Sequence, residues 1–83
     1  MDSIIIEKPW RRDRQKEAIR NVSKALNEWL KERGYHFLTH SLSLKRFGIN
    51  RVAKKVTVEY IVDKRVDIWE LTAAERRLVE HGS

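Results

Sequence analysis

The sequence predicts an α+β fold: a single small two-layer domain in which a long amphipathic helix packs against a β-hairpin. Three observations predict it. Apolar residues recur at three- and four-residue steps from Ala18 to Leu30, the spacing of one helix face. Val56, Val58, Tyr60 and Val62 alternate with Thr57, Glu59, Ile61 and Asp63, the spacing of a half-buried strand. Finally, 83 residues are too few to divide their apolar side chains between two stable cores.

Residues 1–8 open the chain as a short strand or extended arm, because Ile4, Ile5 and Ile6 are β-branched. The spacing then predicts a helix over 9–33, with Pro9 in its first turn and Gly34 as its left-handed cap. Ala18, Ile19, Val22, Ala25, Leu26, Trp29 and Leu30 form its buried stripe. Trp10 lies outside that stripe, among Lys8, Arg11 and Arg12, and reads as a local staple at the helix entry or as an exposed partner anchor.

Hairpin strands are expected over 35–46 and 51–63. Leu38, His40, Leu42 and Leu44 alternate with Thr39, Ser41 and Ser43 in the first of them. Gly48-Ile49-Asn50 supplies residues that accept positive φ and is the expected turn. The eight residues Leu44 to Arg51 also resemble the turn of a helix-turn-helix, where a glycine links two helices. Their flanks depart from that pattern. Leu44 stands where a small residue is usual, Lys54 and Thr57 replace aliphatics, and Val56 to Val62 is strand material.

A last helix is expected over 67–81. Asp67-Ile68-Trp69-Glu70 and Thr72-Ala73-Ala74-Glu75 both follow the capping-box pattern, the second being the stronger start. Leu71, Ala74, Leu78 and Val79 give a short apolar stripe, Gly82 closes the helix, and Trp69, like Trp29, is expected in the core. An isolated hairpin is marginal in water, so the sheet must lie on the long helix.

Charge is distributed unevenly along this scaffold. The net charge of +6 falls in one acid-free stretch between Glu32 and Glu59. Arg33, Lys45, Arg46, Arg51, Lys54 and Lys55 lie inside it, leaving twelve cations against twelve acids elsewhere. On the expected hairpin most of these cations gather near the turn, with Asn50 among them. A second basic feature is the polar face of the long helix. There Lys16, Arg20, Lys24 and Lys31 fall within a narrow arc, with Glu17, Glu28 and Glu32 close by.

Several function classes fall away. No cysteine is present, which excludes disulfides, thiol nucleophiles and thiolate metal sites and fits a reducing, cytoplasmic setting. His36 and His40 would stand about 13 Å apart on a strand, too far to chelate one ion, and no carboxylate adjoins them. Ser41 and Ser43 sit in a strand pattern, and the three glycines are too scattered to cradle a phosphate. Apolar runs such as Ile4 to Ile6 are far shorter than the roughly 20 residues that span a bilayer. No catalytic residue, metal site or cofactor is expected, and no membrane partner.

What remains is a small non-enzymatic regulatory binding protein. Its expected partner is nucleic acid, DNA or RNA, met by the basic hairpin through phosphate contacts from Lys45, Arg46, Arg51, Lys54 and Lys55, with Asn50 or Arg51 near base edges and Lys16, Arg20, Lys24 and Lys31 as a second, phosphate-tracking ridge. The alternative is a protein-interaction module, an inhibitor or assembly subunit of the size common in viruses and mobile elements. It would offer the same hairpin to an acidic protein surface, with Trp10 as an anchor. With 36% charged residues the apolar surplus is small, so self-association as a homodimer is a further expectation.

Overall fold

The computed structural model describes residues 1–81. The expected closing role of Gly82 therefore lies outside the described residues. In order, the chain forms β1 (Asp2–Pro9), a 3-10 turn (Arg12–Arg14), α1 (Gln15–Arg33), β2 (His40–Asn50), β3 (Lys55–Lys64), a second 3-10 turn (Ile68–Glu70) and α2 (Ala73–Glu80). The three strands make one antiparallel sheet in the order β1-β3-β2. This is the α+β arrangement that the periodicities predict, and the N-terminal segment is a full strand of it.

The start of the helix differs from expectation. Pro9 ends β1, paired with Lys55 at the limit of the ladder, and α1 begins six residues later. An edge strand tolerates proline because one side of its backbone meets no partner. Trp10 then continues the pairing by donating its backbone N–H to the Lys54 carbonyl at 2.9 Å. At the other end Gly34 caps α1 as expected, with φ 70° and its N–H directed to the Leu30 and Lys31 carbonyls.

The first hairpin strand also starts later, at His40 rather than residue 35. The backbone N–H groups of Thr39 and His40 both donate to the His36 carbonyl, which winds residues 36–39 into a turn. His36 and His40 therefore do not share a strand. Among the described residues no group of three or more His, Asp or Glu is placed so that it could hold a metal ion.

The hairpin turn is not at Gly48-Ile49-Asn50. Those residues continue β2, and Asn50 pairs with Lys55, so the chain reverses over Arg51 to Lys54. Two local contacts favour that position. The Asn50 side-chain oxygen accepts the N–H groups of Val52 (3.1 Å) and Ala53 (2.9 Å), and Lys54 takes the left-handed conformation at φ 55°. A register shift between Leu44 and Arg46 leaves Lys45 as a bulge. Because of it, Leu42 and Leu44 before the bulge and Phe47 and Ile49 after it face the same way, opposite Val62, Tyr60, Val58 and Val56.

The expected helix over 67–81 is split. Asp67 and Glu70 close only a 3-10 turn, with the Asp67 N–H donating to the Glu70 carboxylate at 2.7 Å. Leu71 is extended and buried, and Thr72 begins α2. There the capping box is reciprocal: the Glu75 N–H donates to the Thr72 hydroxyl at 3.2 Å, and the Thr72 N–H to the Glu75 carboxylate at 3.0 Å. The Thr72 N–H, and then the Thr72 hydroxyl, favour the ionised carboxylate of Glu75 and lower its pKa. Trp69 is not a core residue. It is 70% exposed, with the Lys64 ammonium 6.0 Å from its ring centre.

The core joins Ile6, Val56 and Val58 of the sheet to Ala18, Val22 and Leu26 of α1, with Trp10, Trp29, Leu30 and Tyr60 half-buried around it. An ionic clamp closes its far end. The Asp2 carboxylate accepts the Tyr35 hydroxyl at 2.7 Å and Arg33 Nη1 at 3.1 Å, fastening the start of β1 to the end of α1. The Tyr35 hydrogen bond, then the Ser3 N–H and the Arg33 charge, hold the Asp2 pKa below its ordinary value, and the same bond raises that of Tyr35.

A helix is about 10 Å across and strands lie about 4.8 Å apart, so one helix covers roughly two strands. Here α1 packs along β1, and its core contacts reach β3. The inner side chains of β2 are left open: Leu42, Leu44, Phe47 and Ile49 are 40–58% exposed.

Candidate nucleic-acid interface

The basic hairpin expected from the sequence is divided by the observed register. Arg51 and Lys54 are in the turn. Lys55 opens β3 and its ammonium lies 2.9 Å from Glu7 of β1. Arg46 is on the outer, polar face of the sheet, where its Nε is 3.8 Å from the Glu59 carboxylate across the ladder. Lys45 is exposed at the bulge, well along β2 from the turn. Asn50 is exposed, but its side-chain oxygen is engaged by the turn.

What the sequence spacing did not bring together is the other half of the basic end. Pairing of β1 with β3 carries the link that follows Pro9 up to the hairpin turn, and the Trp10-to-Lys54 backbone bond fixes it there. Arg11 and Arg12 thereby meet Arg51 and Lys54 around Trp10, lining a cleft of about 570 Å³ with Asp13 as its one acid. Arg11 is matched with Asp13 at 3.6 Å, and neighbouring Arg14 with Glu17 at 3.7 Å. Arg12, Arg51 and Lys54 make no ion pair among the described residues. The signal that could have found Arg12 is the run Arg11-Arg12 directly after a strand long enough to reach the hairpin turn.

Trp10 is half-buried and packs against the core cluster, so it is neither a free anchor nor wholly enclosed. It forms the apolar wall of the cleft. An aromatic face beside unpaired cations can stack on a base while the cations meet phosphate oxygens.

Lys16, Arg20, Lys24 and Lys31 are all exposed on the outward face of α1, as the helical spacing predicts. They run from the basic end towards the Asp2–Arg33 clamp, covering about 22 Å at 1.5 Å per residue. Arg20, Lys24 and Lys31 share a shallow surface with Ser23, Asn27 and Glu28. No described helix is long and apolar enough to cross a membrane. Comparison with known protein families, curated proteins and solved structures finds no match for this chain.

Proposed function

We propose that this chain is a small non-enzymatic binding protein of the regulatory kind that docks nucleic acid with its basic end, where the hairpin turn meets the link between β1 and α1. The observation that carries the reading is the convergence of Arg11, Arg12, Arg51 and Lys54 on one cleft walled by Trp10, with three of the four unpaired. Solvated cations without carboxylate partners can exchange counterions for phosphates at no loss of an internal ion pair. Arg46 and Lys55 would have to give up Glu59 and Glu7 first. Affinity in this reading comes from phosphate contacts. Base stacking on Trp10 adds to it without demanding a sequence.

The test is fluorescence anisotropy of labelled single-stranded and duplex oligonucleotides with the wild-type chain and with Arg51→Glu/Lys54→Glu. Loss of binding in the double variant, with an unchanged circular-dichroism spectrum, is the expected result. Equal binding by the two proteins would remove the basic end from the account.

A further inference from the structure

The second exposed feature of the molecule is apolar. Along the flank of α1 that faces β2 runs a groove of about 300 Å³, with Ala18, Ile19 and Val22 on one side, Leu44, Phe47 and Ile49 on the other, and Val56, Val58 and Tyr60 at its floor. Ile19 is 65% exposed, Phe47 58% and Leu44 57%. None of its lining side chains carries a charge. A compact protein of 9.9 kDa exposes about 5,200 Å², whereas this chain exposes 6575 Å². The excess, about 1,400 Å² by that scaling, belongs to the whole molecule, which measures 49 × 22 × 15 Å, and the open side of β2 contributes to it.

We infer that this groove receives an amphipathic α-helix of a partner protein, about fifteen residues long and acidic along its flanks. Shape supplies the first argument. One helix covers β1 and reaches β3, so the remaining strand β2 and the exposed flank of α1 at Ile19 stand as the two walls of a trough in which a second helix can lie. From Leu42 to Ile49 the open side of β2 runs about 23 Å at roughly 3.3 Å per residue, the length of about four helical turns. Charge supplies the second. At one end the groove shares Trp10 and Gln15 with the basic cleft of Arg12, Arg51 and Lys54. Along its helix side it shares Ser23 with the surface of Arg20, Lys24 and Lys31. On its strand side Lys45 is exposed beside Leu44. In those adjoining surfaces the only acids are Asp13, already matched with Arg11, and Glu28. An apolar floor inside a cationic rim selects an apolar stripe flanked by carboxylates.

This chain's own helices fit poorly. α2 has eight residues, about 12 Å of helix. A second copy's α1, turned outward from its own sheet, would press Lys16, Arg20, Lys24 and Lys31 onto Phe47 and Leu44. That would bury cations on an apolar shelf without partners. The groove shares Trp10 and rim cations with the proposed nucleic-acid site, but its own lining residues include none of those cations, so substitutions at Ile19 and Phe47 separate the two surfaces.

The test selects a randomised sixteen-residue peptide library displayed on phage against the wild-type chain, then measures the enriched peptides against Ile19→Ser/Phe47→Ser. Both positions are exposed, so the variant is expected to keep its fold, checked by circular dichroism and melting temperature. The expected outcome is enrichment of acidic sequences with apolar residues at i, i+3, i+4 and i+7. Their binding should weaken by about tenfold or more in the variant, while oligonucleotide binding stays unchanged. Any of four results would overturn the inference: no enriched family, enrichment without an acidic bias, equal binding to the variant, or loss of oligonucleotide binding in it. Sedimentation showing a dimer that the double variant dissociates would assign the groove to a second copy instead.

Discussion

The location of the hairpin turn can be tested by three single substitutions that read backbone conformation. Lys54 has φ 55° and Gly34 φ 70°, whereas Gly48 lies within β2 and has no heavy atom within 4 Å of where a Cβ would stand. A left-handed conformation costs an L-residue about 1–2 kcal/mol, and glycine gives back about 0.4–1 kcal/mol of that through the freer unfolded chain. Lys54→Gly should therefore stabilise by about 0.5–1 kcal/mol. With an unfolding entropy of about 2.1 cal/mol/K per residue, that raises the melting temperature by about 3–6 °C. Gly34→Ala should lower stability by about 1 kcal/mol. Gly48→Ala should be neutral or slightly stabilising, because a strand interior prefers a side chain. Thermal unfolding followed by circular dichroism measures all three. A loss of more than about 1 kcal/mol at Gly48, with no gain at Lys54, would put the turn at Gly48-Ile49-Asn50 and refute the bulged register.

Two further outcomes follow from other parts of the fold. Burial, and then the Lys64 charge, lower the pKa of His40 from its ordinary 6.5. The unfolded chain therefore binds that proton more readily, and the stability contribution is complete above pH 6.5 and lost as pH falls through 6.5 towards the lower native value. His40→Gln should flatten the melting temperature between about pH 7 and pH 5; an unchanged slope would exclude His40 as its source. α2 has no buried residue, so Thr72→Ala should act locally. Loss of a cap bond of about 1 kcal/mol should speed amide hydrogen exchange in α2 about fivefold with little change in global melting, and equal acceleration throughout the core would contradict the loose attachment.

The strong periodicities were legible in the sequence because a single packing face enforces each of them. Ala18, Val22, Ala25, Leu26, Trp29 and Leu30 on α1 and Val56, Val58 and Tyr60 on β3 touch the one core, so their spacing reports it directly. Ile19, expected in the same stripe, is instead 65% exposed on the flank that faces β2. The Gly34 cap and the Thr72–Glu75 box were legible for the same reason: each is satisfied by neighbours within four residues. Misread elements are those whose local preference is overridden at a distance. Pro9 is a good first helical residue, but pairing with β3 holds it in a strand. Gly48-Ile49-Asn50 is good turn material, but the bulge at Lys45 places Phe47 and Ile49 opposite Val58 and Val56 and moves the reversal onward. A sign of this is present in the chain. Leu42 and Leu44 are even-numbered, Phe47 and Ile49 odd, and one strand can present both pairs on one face only through an extra residue.

The basic end was half legible. An acid-free stretch pointed to Arg51 and Lys54, but Arg12 joins them through sheet pairing between segments more than forty residues apart. The neutralisation of Arg46 by Glu59 and of Lys55 by Glu7 was hidden for the same reason. Cross-strand partners depend on register, and register depended on the bulge.

The central claim, that nucleic acid is met by unpaired cations at this end, is tested most directly by the salt dependence of oligonucleotide affinity. Each phosphate contact contributes a slope of about 0.9 in log affinity against log salt for duplex DNA and about 0.7 for a single strand. Arg51→Gln/Lys54→Gln should reduce the slope by about 1.8 or about 1.4 respectively, while Arg46→Gln/Lys55→Gln should change it far less. A slope indifferent to Arg51 and Lys54, or no binding even at about 50 mM salt, would contradict the account.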